Sequence, residues 1–173
     1  MTASTELTPA LQRLNALSSR EAQIALLACC ASTVWATAVA AGRPYRNGSD
    51  LLGAAQAACR VLSDADVDEA LAAHPRIGDK AQGASAEAQW SRAEQASVAD
   101  SDAGTREELR LGNLAYEDKF GWVFLIRAAG RSPAQMLAEL RRRLGNDPVA
   151  ERREVADQLC EITQLRVERL LIS

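Results

Sequence analysis

The sequence predicts an all-α fold: a compact single-domain bundle of several helices with one irregular apolar segment near residues 122–130. Apolar residues recur at helical spacing along most of the chain, whereas the alternating pattern of half-buried strands is nearly absent. Residues that start and stop helices also punctuate the chain at short intervals. Because the 173 residues contain no linker and no internal repeat, we expect one domain spanning residues 1–173.

The N-terminal region contains two predicted helices. Four leucines between residues 7 and 17 share one face of a first amphipathic helix. Ser18 and Glu21 have capping-box spacing, which predicts the start of a second helix continuing to Gly42. The glycines, proline and asparagine of residues 42–48 then predict a loop.

The next predicted helices lead to the only histidine of the chain. Ser49 or Asp50 is expected to cap a helix that runs through Cys59, and a short helix follows it. Pro75 disfavours the α conformation at the preceding residue, His74. The imidazole is therefore expected at a junction between a helix and a loop.

The segment before the irregular region is also predicted to be helical. Thr105 and Glu108 have capping-box spacing, and Gly121 is expected to end the helix that they open. The apolar run 122–126 is too short for a free-standing helix, and Gly130 lies close behind it. We therefore expect this run to pass through the core as extended or irregular chain.

Two helices are predicted for the remainder of the chain. The sequence of residues 132–135, Ser-Pro-Ala-Gln, combines an N-cap, a proline at the first helical position and a capping glutamine. Gly145 and Asn146 end that helix after Leu144. The dipeptide at 147–148, Asp-Pro, starts a last long helix that is expected to reach about Leu170.

Composition and charge exclude several classes of partner. The formal net charge of −3 gives no reason to expect nucleic-acid or anionic-membrane binding, and the basic run 141–143 is interpreted as a solvated helix face. Apolar stretches are too short to span a bilayer. Residues 1–6 show no basic start before an apolar run, so the sequence predicts a cytoplasmic protein without a secretory signal.

The cysteine pattern predicts reduced thiols and no structural metal. Cys29 and Cys30 lie in an apolar helical stretch, and Cys59 and Cys160 complete the set of four. The chain has no C-x-x-C motif and only one histidine, whereas zinc sites use paired cysteines and histidines. We therefore expect no metal ion and reduced, buried cysteines.

His74 is the first candidate for catalysis, because imidazole is the side chain that exchanges protons most readily near neutral pH. A lone histidine before proline is also common as a cap or packing residue. Ser91, Glu94 and Gln95 share one face of a predicted helix, where they form either a polar binding surface or an ordinary solvated face. Position in the sequence does not decide between these interpretations.

Other motifs give less information. Arg166 and Arg169 lie three residues apart on the last predicted helix and either bind a carboxylate or cover the surface. The sequence has neither a glycine-rich phosphate-binding motif nor the G-x-S-x-G nucleophile motif of hydrolases. Nucleotide-dependent chemistry is therefore not expected.

Several segments, in order, carry a family resemblance. They are His74-Pro75-Arg76-Ile77-Gly78-Asp79, Ser91-Arg92-Ala93-Glu94-Gln95 and Tyr116-Glu117-Asp118-Lys119-Phe120-Gly121, with residues 42–45, 124–132, 161–162 and 169–170 as further matches. Together they resemble the OHCU decarboxylase family, whose substrate is 2-oxo-4-hydroxy-4-carboxy-5-ureidoimidazoline. The resemblance covers nearly the whole chain. Ser97 departs from it, standing where many relatives have glycine.

The resemblance implies an all-α homodimer that needs no cofactor and acts on a small ureidoimidazoline. It implies that His74 is the catalytic histidine; we expect Glu94 to orient the substrate and Arg169, one turn from Arg166, to hold an anionic oxygen. Substrate contacts are expected at Pro75, at Ser91, Arg92, Ala93, Glu94 and Gln95, and at Ile126, Arg127, Ala128, Ala129 and Gly130.

Two other functions remain open from the sequence. A hydrolase would use His74 and Glu94 to activate water on a ureido or imidazolone ring. A helical interaction module would use its arginine-rich last helix to bind an acidic partner, and would have no reason to gather His74, Glu94 and Arg169 around one pocket.

Overall fold

The computed structural model describes residues 7–79 and 82–172, and regular secondary structure within these ranges is helical, without a β-strand. The predicted all-α fold is confirmed. The expectation about residues 1–6 lies outside the described residues. The helices in the described ranges are α1 (Pro9–Ala16), α2 (Ser19–Leu27), α3 (Thr33–Ala41), α4 (Gly48–Arg60), α5 (Asp64–Ala72), α6 (Ala86–Glu94), α7 (Ala96–Ala99), α8 (Ala103–Phe120), α9 (Pro133–Arg143) and α10 (Pro148–Ile172).

The chain forms two compact units. The first comprises the described residues up to Ala70 together with those from Leu159 onward, and the second comprises Leu71–Gln158. Each is described by itself. No helix in the described part of the chain is long and apolar enough to cross a membrane.

In the first unit, the predicted helix from Ser18 to Gly42 is two helices, so that prediction is wrong. The capping box of Ser18 and Glu21 opens α2 as expected. A second cap, Ser32, accepts a hydrogen bond from the backbone N–H of Trp35 at 3.2 Å and starts α3 after a break. Because the Ser32 hydroxyl binds the backbone N–H three residues ahead, Ser32 starts a new helix and does not continue the preceding one.

The start of α4 also differs from the prediction. Asn47, not Ser49 or Asp50, is the N-cap, and its side chain accepts from the N–H of Asp50 at 2.9 Å. Asparagine and aspartate are equally good caps, so capping preference alone does not distinguish Asn47 from Asp50.

The cysteine predictions are confirmed for the burial of three thiols and wrong on two points: Cys29 and Cys30 lie in the break between α2 and α3 instead of in a helix, and Cys160 is not fully buried. No disulfide joins the four cysteines; Cys29, Cys30 and Cys59 are buried, but Cys160 is only partly buried. Burial raises the pKa of Cys29 to about 12, which keeps that thiol protonated near neutral pH.

In the second unit, α8 begins earlier than predicted. Asp102 caps the helix by accepting from the N–H of Thr105 at 2.9 Å, so the expected box of Thr105 and Glu108 is not the start. Gly121 ends α8 with φ of 80°, a left-handed conformation that favours glycine, as predicted. The short helix α7 was not foreseen.

The irregular apolar segment and the last two helices are confirmed. No regular structure occurs from residue 123 to 128, although Phe124, Leu125 and Ile126 are buried. The capping box at Ser132 opens α9, and Asp147 caps α10 by accepting from the N–H groups of Val149 and Ala150.

The interpretation of residues 141–143 as a solvated face is wrong for one arginine. Arg141 and Arg142 are exposed, but the Arg143 side chain is 1% exposed and forms an ion pair with Glu151, which is wholly buried. The last turn of α9 therefore directs the Arg143 side chain into the interior of the second unit, where the buried carboxylate of Glu151 pairs with it.

Candidate active site

His74 lies just beyond the end of α5, as the sequence predicted. Its backbone N–H donates to the carbonyl of Leu71 at 2.9 Å, closing the last turn, and Pro75 prevents the helix from continuing. The His74 side chain is partly buried. The imidazole is thus partly shielded from solvent but still reachable by a small molecule, as a residue that exchanges protons with a substrate must be.

A cavity of about 370 Å³ contains His74 and Ser91 together. Ser91 is 4% exposed and projects from α6, while His74 and Pro75 come from the loop after α5. Two predicted segments thus meet at one pocket. Its lining residues are Ala72, Ala73, His74, Pro75, Asp79, Gln82, Ser85, Glu87, Ala88 and Ser91.

The sequence analysis missed Asp79, Gln82 and Glu87 as lining residues. Glu87 precedes Ser91 by four residues, so the two side chains share one face of α6. Following the helix face of Ser91 and Glu94 toward the N-terminus of α6 would have identified Glu87. No local sequence pattern identifies Gln82 as a lining residue, because it lies in a loop and not on a helix face.

The other predicted residues of the 91–95 segment do not line this cavity within the described residues. Glu94 is partly buried and ends α6. Arg92 and Ala93 are exposed, and Arg92 Nη1 donates to the carbonyl of Gly83 at 2.9 Å. Gln95 lies at the C-cap of α6, where the loop after His74 engages it.

Three contacts hold consecutive residues of that loop. Arg76 donates to both carboxylate oxygens of Glu117, at 2.5 and 2.7 Å. Asn113 Nδ2 donates to the carbonyl of Ile77 at 2.9 Å, and the N–H of Gly78 donates to Gln95 Oε1 at 2.9 Å. The hydrogen bonds and charge of Arg76 hold the pKa of Glu117 below its usual range, so this carboxylate is ionised at neutral pH.

The segment Ile126–Gly130 offers backbone donors. Ile126 and Ala128 bury their side chains, and the N–H of Arg131 donates to the carbonyl of Ala128 across a turn in which Gly130 has φ of 80°. The N–H groups of Ile126, Ala128, Ala129 and Gly130 form no hydrogen bond with the described residues.

One amide of the segment is already occupied. The N–H of Arg127 donates to Gln158 Oε1 at 2.9 Å, which removes it from the expected set of substrate donors. The Arg127 carbonyl in turn accepts from Arg131 Nε at 3.1 Å. Arg127 thus fixes the segment in place with both of its backbone groups.

Arg169 and Arg166 belong to the first unit. Arg166 is 2% exposed, whereas Arg169 is partly buried on the same helix, α10. Their environments therefore differ, a distinction that the sequence did not reveal. Among the described residues, no group of histidine, cysteine, aspartate and glutamate side chains is arranged to hold a metal ion.

Comparisons with known proteins place the chain in a family. The sequence model of OHCU decarboxylase matches residues 15–168. The chain is 31% identical over 140 residues to the 2-oxo-4-hydroxy-4-carboxy-5-ureidoimidazoline decarboxylase of Amia calva, covering 80% of each protein. It is 32% identical over 145 residues to the uric acid degradation bifunctional protein TTL of Arabidopsis thaliana, covering 82% of this chain but 45% of that protein.

Solved structures agree with this assignment. A crystal structure of OHCU decarboxylase in the presence of (S)-allantoin superposes with a TM-score of 0.75 at 29% identity, over 86% of this chain and 98% of the other. A crystal structure of (S)-allantoin synthase gives a TM-score of 0.67 at 20% identity, over 93% of this chain and 54% of the other, and shows likeness of fold alone.

The fold, the histidine-lined pocket and these relatives together define an all-helical carboxy-lyase. This chain spans about half the length of the plant bifunctional protein that it matches, and most of the length of the Amia calva enzyme. The chain belongs to the OHCU decarboxylase family.

Proposed function

We propose that this protein decarboxylates OHCU to (S)-allantoin and carbon dioxide in urate breakdown, without a cofactor and with His74 as the acid–base residue. The observation that carries the proposal is the position of His74, the only imidazole of the chain. It lines a pocket with Ser91, in a chain that matches the OHCU decarboxylase family over residues 15–168. We treat residues 1–173 as one functional domain, because that match extends into both compact units.

The substrate supplies its own electron sink. Its carboxylate is bonded to a ring carbon next to a C=N bond, so the electron pair released with carbon dioxide moves into that imine and leaves an enamine-like intermediate. Decarboxylations without such a sink need a cofactor to hold the electrons. The chemistry of OHCU is thus compatible with a site made of side chains and amides.

His74 then completes the reaction by moving protons. It accepts the proton of the ring hydroxyl as the carbonyl of the product forms, and it delivers a proton to the carbon that carries the ureido group. The hydroxyl loses one proton and the carbon gains one, while the former imine nitrogen takes a further proton from solvent, which balances the negative charge left when carbon dioxide departs. Delivery to one face of the ring gives a single enantiomer.

The other predicted residues hold the substrate. Glu94 accepts hydrogen bonds from ring or ureido N–H groups, and Arg169 holds an anionic oxygen. The amides of Ile126, Ala128, Ala129 and Gly130, which have no partner among the described residues, donate to carbonyl oxygens of the substrate. Glu87 adds an acceptor at the pocket for a further N–H.

A coupled assay tests this function. OHCU is generated in situ with urate oxidase and the hydrolase that follows it, the protein is added, and the circular dichroism of allantoin is recorded together with released carbon dioxide. We expect rapid formation of (S)-allantoin and at least a hundredfold loss for His74→Asn, because general acid–base catalysis contributes about 10²- to 10⁴-fold.

The same assay separates the alternatives. Consumption of OHCU without carbon dioxide release would indicate a hydrolase. Racemic allantoin appearing at the uncatalysed rate would exclude catalysis and favour a helical interaction module. Near-normal turnover by His74→Asn would leave the reaction intact but remove His74 from it.

We further propose that the protein is a cytoplasmic homodimer with a small-molecule substrate and no nucleic-acid or membrane partner. The net charge of −3 supports the absence of polyanionic partners. The dimer rests on the family resemblance. Light scattering during size-exclusion chromatography tests it, since a monomer mass would contradict the proposal.

A further inference from the structure

The loop after His74 is held from one side by a single helix face. Asn113 and Glu117 lie four residues apart on α8, so their side chains project from the same face. Asn113 binds the carbonyl of Ile77, and Glu117 binds the guanidinium of Arg76 through two hydrogen bonds. Two neighbouring loop residues are therefore fixed by two neighbouring positions of α8.

The contact through Asn113 is buried and directional. The Asn113 side chain is 2% exposed, and because the Ile77 carbonyl can only accept, the amide must present its nitrogen to it. The Ile77 side chain is also buried, in a cluster that contains Leu109 and Tyr116 of α8. Helix α8 therefore holds Ile77 by its backbone and by its side chain.

His74 lies between this attachment and the end of α5. On the N-terminal side, the backbone N–H of His74 donates to the carbonyl of Leu71. On the C-terminal side, the ring of Pro75 fixes the φ angle of Pro75, and the next residue, Arg76, is bound to Glu117. The backbone on both sides of His74 is therefore held, so the position from which the imidazole projects is fixed.

We propose that Glu117 and Asn113 are positioning residues that hold the His74 imidazole in its reactive orientation. This inference rests on the proposed function of His74. Neither residue lines the cavity that contains His74. Asn113 lines a separate cavity of about 490 Å³ together with Arg76 and Ile77, so both residues are assigned an effect through the loop. The assignment gives a role to the 116–121 motif, whose Glu117 reaches back to the motif that carries His74.

The single histidine allows a direct test. In protein without a histidine tag, the imidazole signals in a ¹H–¹³C NMR spectrum come from His74 alone. We expect Glu117→Ala to move or broaden these signals relative to wild type. Glu108→Ala is the matched control, because Glu108 lies on the same helix and pairs with an arginine of another helix, Arg141, without contacting the loop.

Kinetics in two backgrounds test the effect on the reaction. Displacement of a catalytic group by about 1 Å can cost about a hundredfold in rate. We expect Glu117→Ala to lower kcat tenfold to a hundredfold with KM changed less than about threefold. In a His74→Asn background, the same substitution should cause no further loss, because its effect passes through the imidazole.

Stability distinguishes positioning from a general loss of structure. The Arg76 and Glu117 side chains are 48% and 23% exposed, and exposed ion pairs contribute little to stability. We expect the melting temperature of Glu117→Ala to fall by no more than about 4 °C. The double variant R76E/E117R restores an ion pair in reverse and should recover part of the lost kcat.

The outcomes are distinguishable. If wild type does not form (S)-allantoin, the proposed function fails. If wild type is active and Glu117→Ala matches Glu108→Ala in kcat and in its His74 signals, the positioning role is overturned. A loss of equal size in the wild-type and His74→Asn backgrounds would also overturn it, since a residue acting through His74 cannot produce that result.

Discussion

Arg143 Nε donates to Glu151 Oε1 over 2.8 Å, and neither side chain is more than 1% exposed. The same guanidinium donates through Nη1 to the carbonyl of Leu125 at 2.6 Å, and the hydroxyl of Tyr116 also binds Glu151. Leu125 immediately precedes the segment 126–130. This buried ion pair thus anchors the start of the segment whose amides are proposed to bind substrate.

Removal of Arg143 is expected to be costly. Arg143→Met leaves the carboxylate of Glu151 buried without its cation, and breaking a buried ion pair in this way costs about 3–5 kcal/mol of the free energy of unfolding. Urea denaturation at pH 7 measures the loss. Arg142→Met is the neighbouring control: its ion pairs with Glu139 and Glu154 are exposed, so about 1 kcal/mol or less is expected. Equal losses in both variants would contradict the structural role given to Arg143.

The two arginines of α10 should separate stability from activity. We expect Arg169→Gln to raise KM about tenfold or more with little loss of stability, because a hydrogen bond to a charged group contributes about 1.5–3 kcal/mol. Arg166→Gln should mainly lower stability, since Arg166 is almost fully buried. Steady-state kinetics and thermal melts of both variants check this. A reversed pattern would assign the anionic oxygen to Arg166 instead.

Gln95 has one observed contact and one proposed role, and a single substitution can separate them. Its Oε1 accepts from the N–H of Gly78, and Nε2 is the group that we propose donates to the substrate. Gln95→Glu keeps an oxygen for Gly78 but removes the donor, so KM should rise about fivefold, equivalent to one neutral hydrogen bond of about 1 kcal/mol. The His74 NMR signals should stay in place in this variant and move in Gln95→Ala. Unchanged KM in Gln95→Glu would exclude Gln95 from substrate binding.

Glu154 should make stability depend on acid pH. Hydrogen bonding to Arg142 lowers the pKa of Glu154 to about 2 from an ordinary value of 4.5. Because the folded-state pKa is the lower one, the stabilisation is complete above about pH 4.5 and is lost as the pH falls toward 2. Allowing for solvent screening, Glu154→Gln should cost about 1 kcal/mol at pH 7 and less than half of that at pH 3.

Urea denaturation at the two pH values measures this change. Asp157→Asn serves as the control, since Asp157 is an exposed carboxylate on the same helix with no ion pair among the described residues. Its effect should not vary in the same way. A cost of Glu154→Gln that stays constant from pH 7 to pH 3 would rule out this linkage.

Local sequence signals predicted the ends of helices correctly where only one nearby residue could cap or terminate the helix. Ser132 had no competing cap nearby, and Gly121 alone could adopt the left-handed conformation at the end of α8. Where several good caps stood close together, as with Asn47, Ser49 and Asp50, their similar capping preferences did not distinguish them. Sequence patterns therefore predicted that a helix begins there, but not at which residue.

The misjudged residues are those whose environment comes from distant parts of the chain. The local pattern placed Arg143 in a solvated run, because its partners Glu151 and Leu125 lie 8 and 18 residues away in the sequence. The bond between Gln95 and Gly78 spans 17 residues and has no local signature. The pocket around His74 and Ser91 was anticipated only through the family resemblance, since spacing alone left both residues with ordinary explanations.

One hydrophobic cluster joins the two sides of the proposed substrate site. It contains Ile77 from the loop after His74, Ile126 and Ala128 from the amide segment, and Met136 from α9, which is fully buried. Protein interiors are packed as densely as organic crystals, so a change of one methylene at Met136 moves its neighbours. The packing of this cluster therefore fixes the spacing between the loop after His74 and the segment 126–130, both of which are proposed to bind the substrate. A change of side-chain volume at Met136 would alter the shape of the proposed substrate site without altering a single polar group.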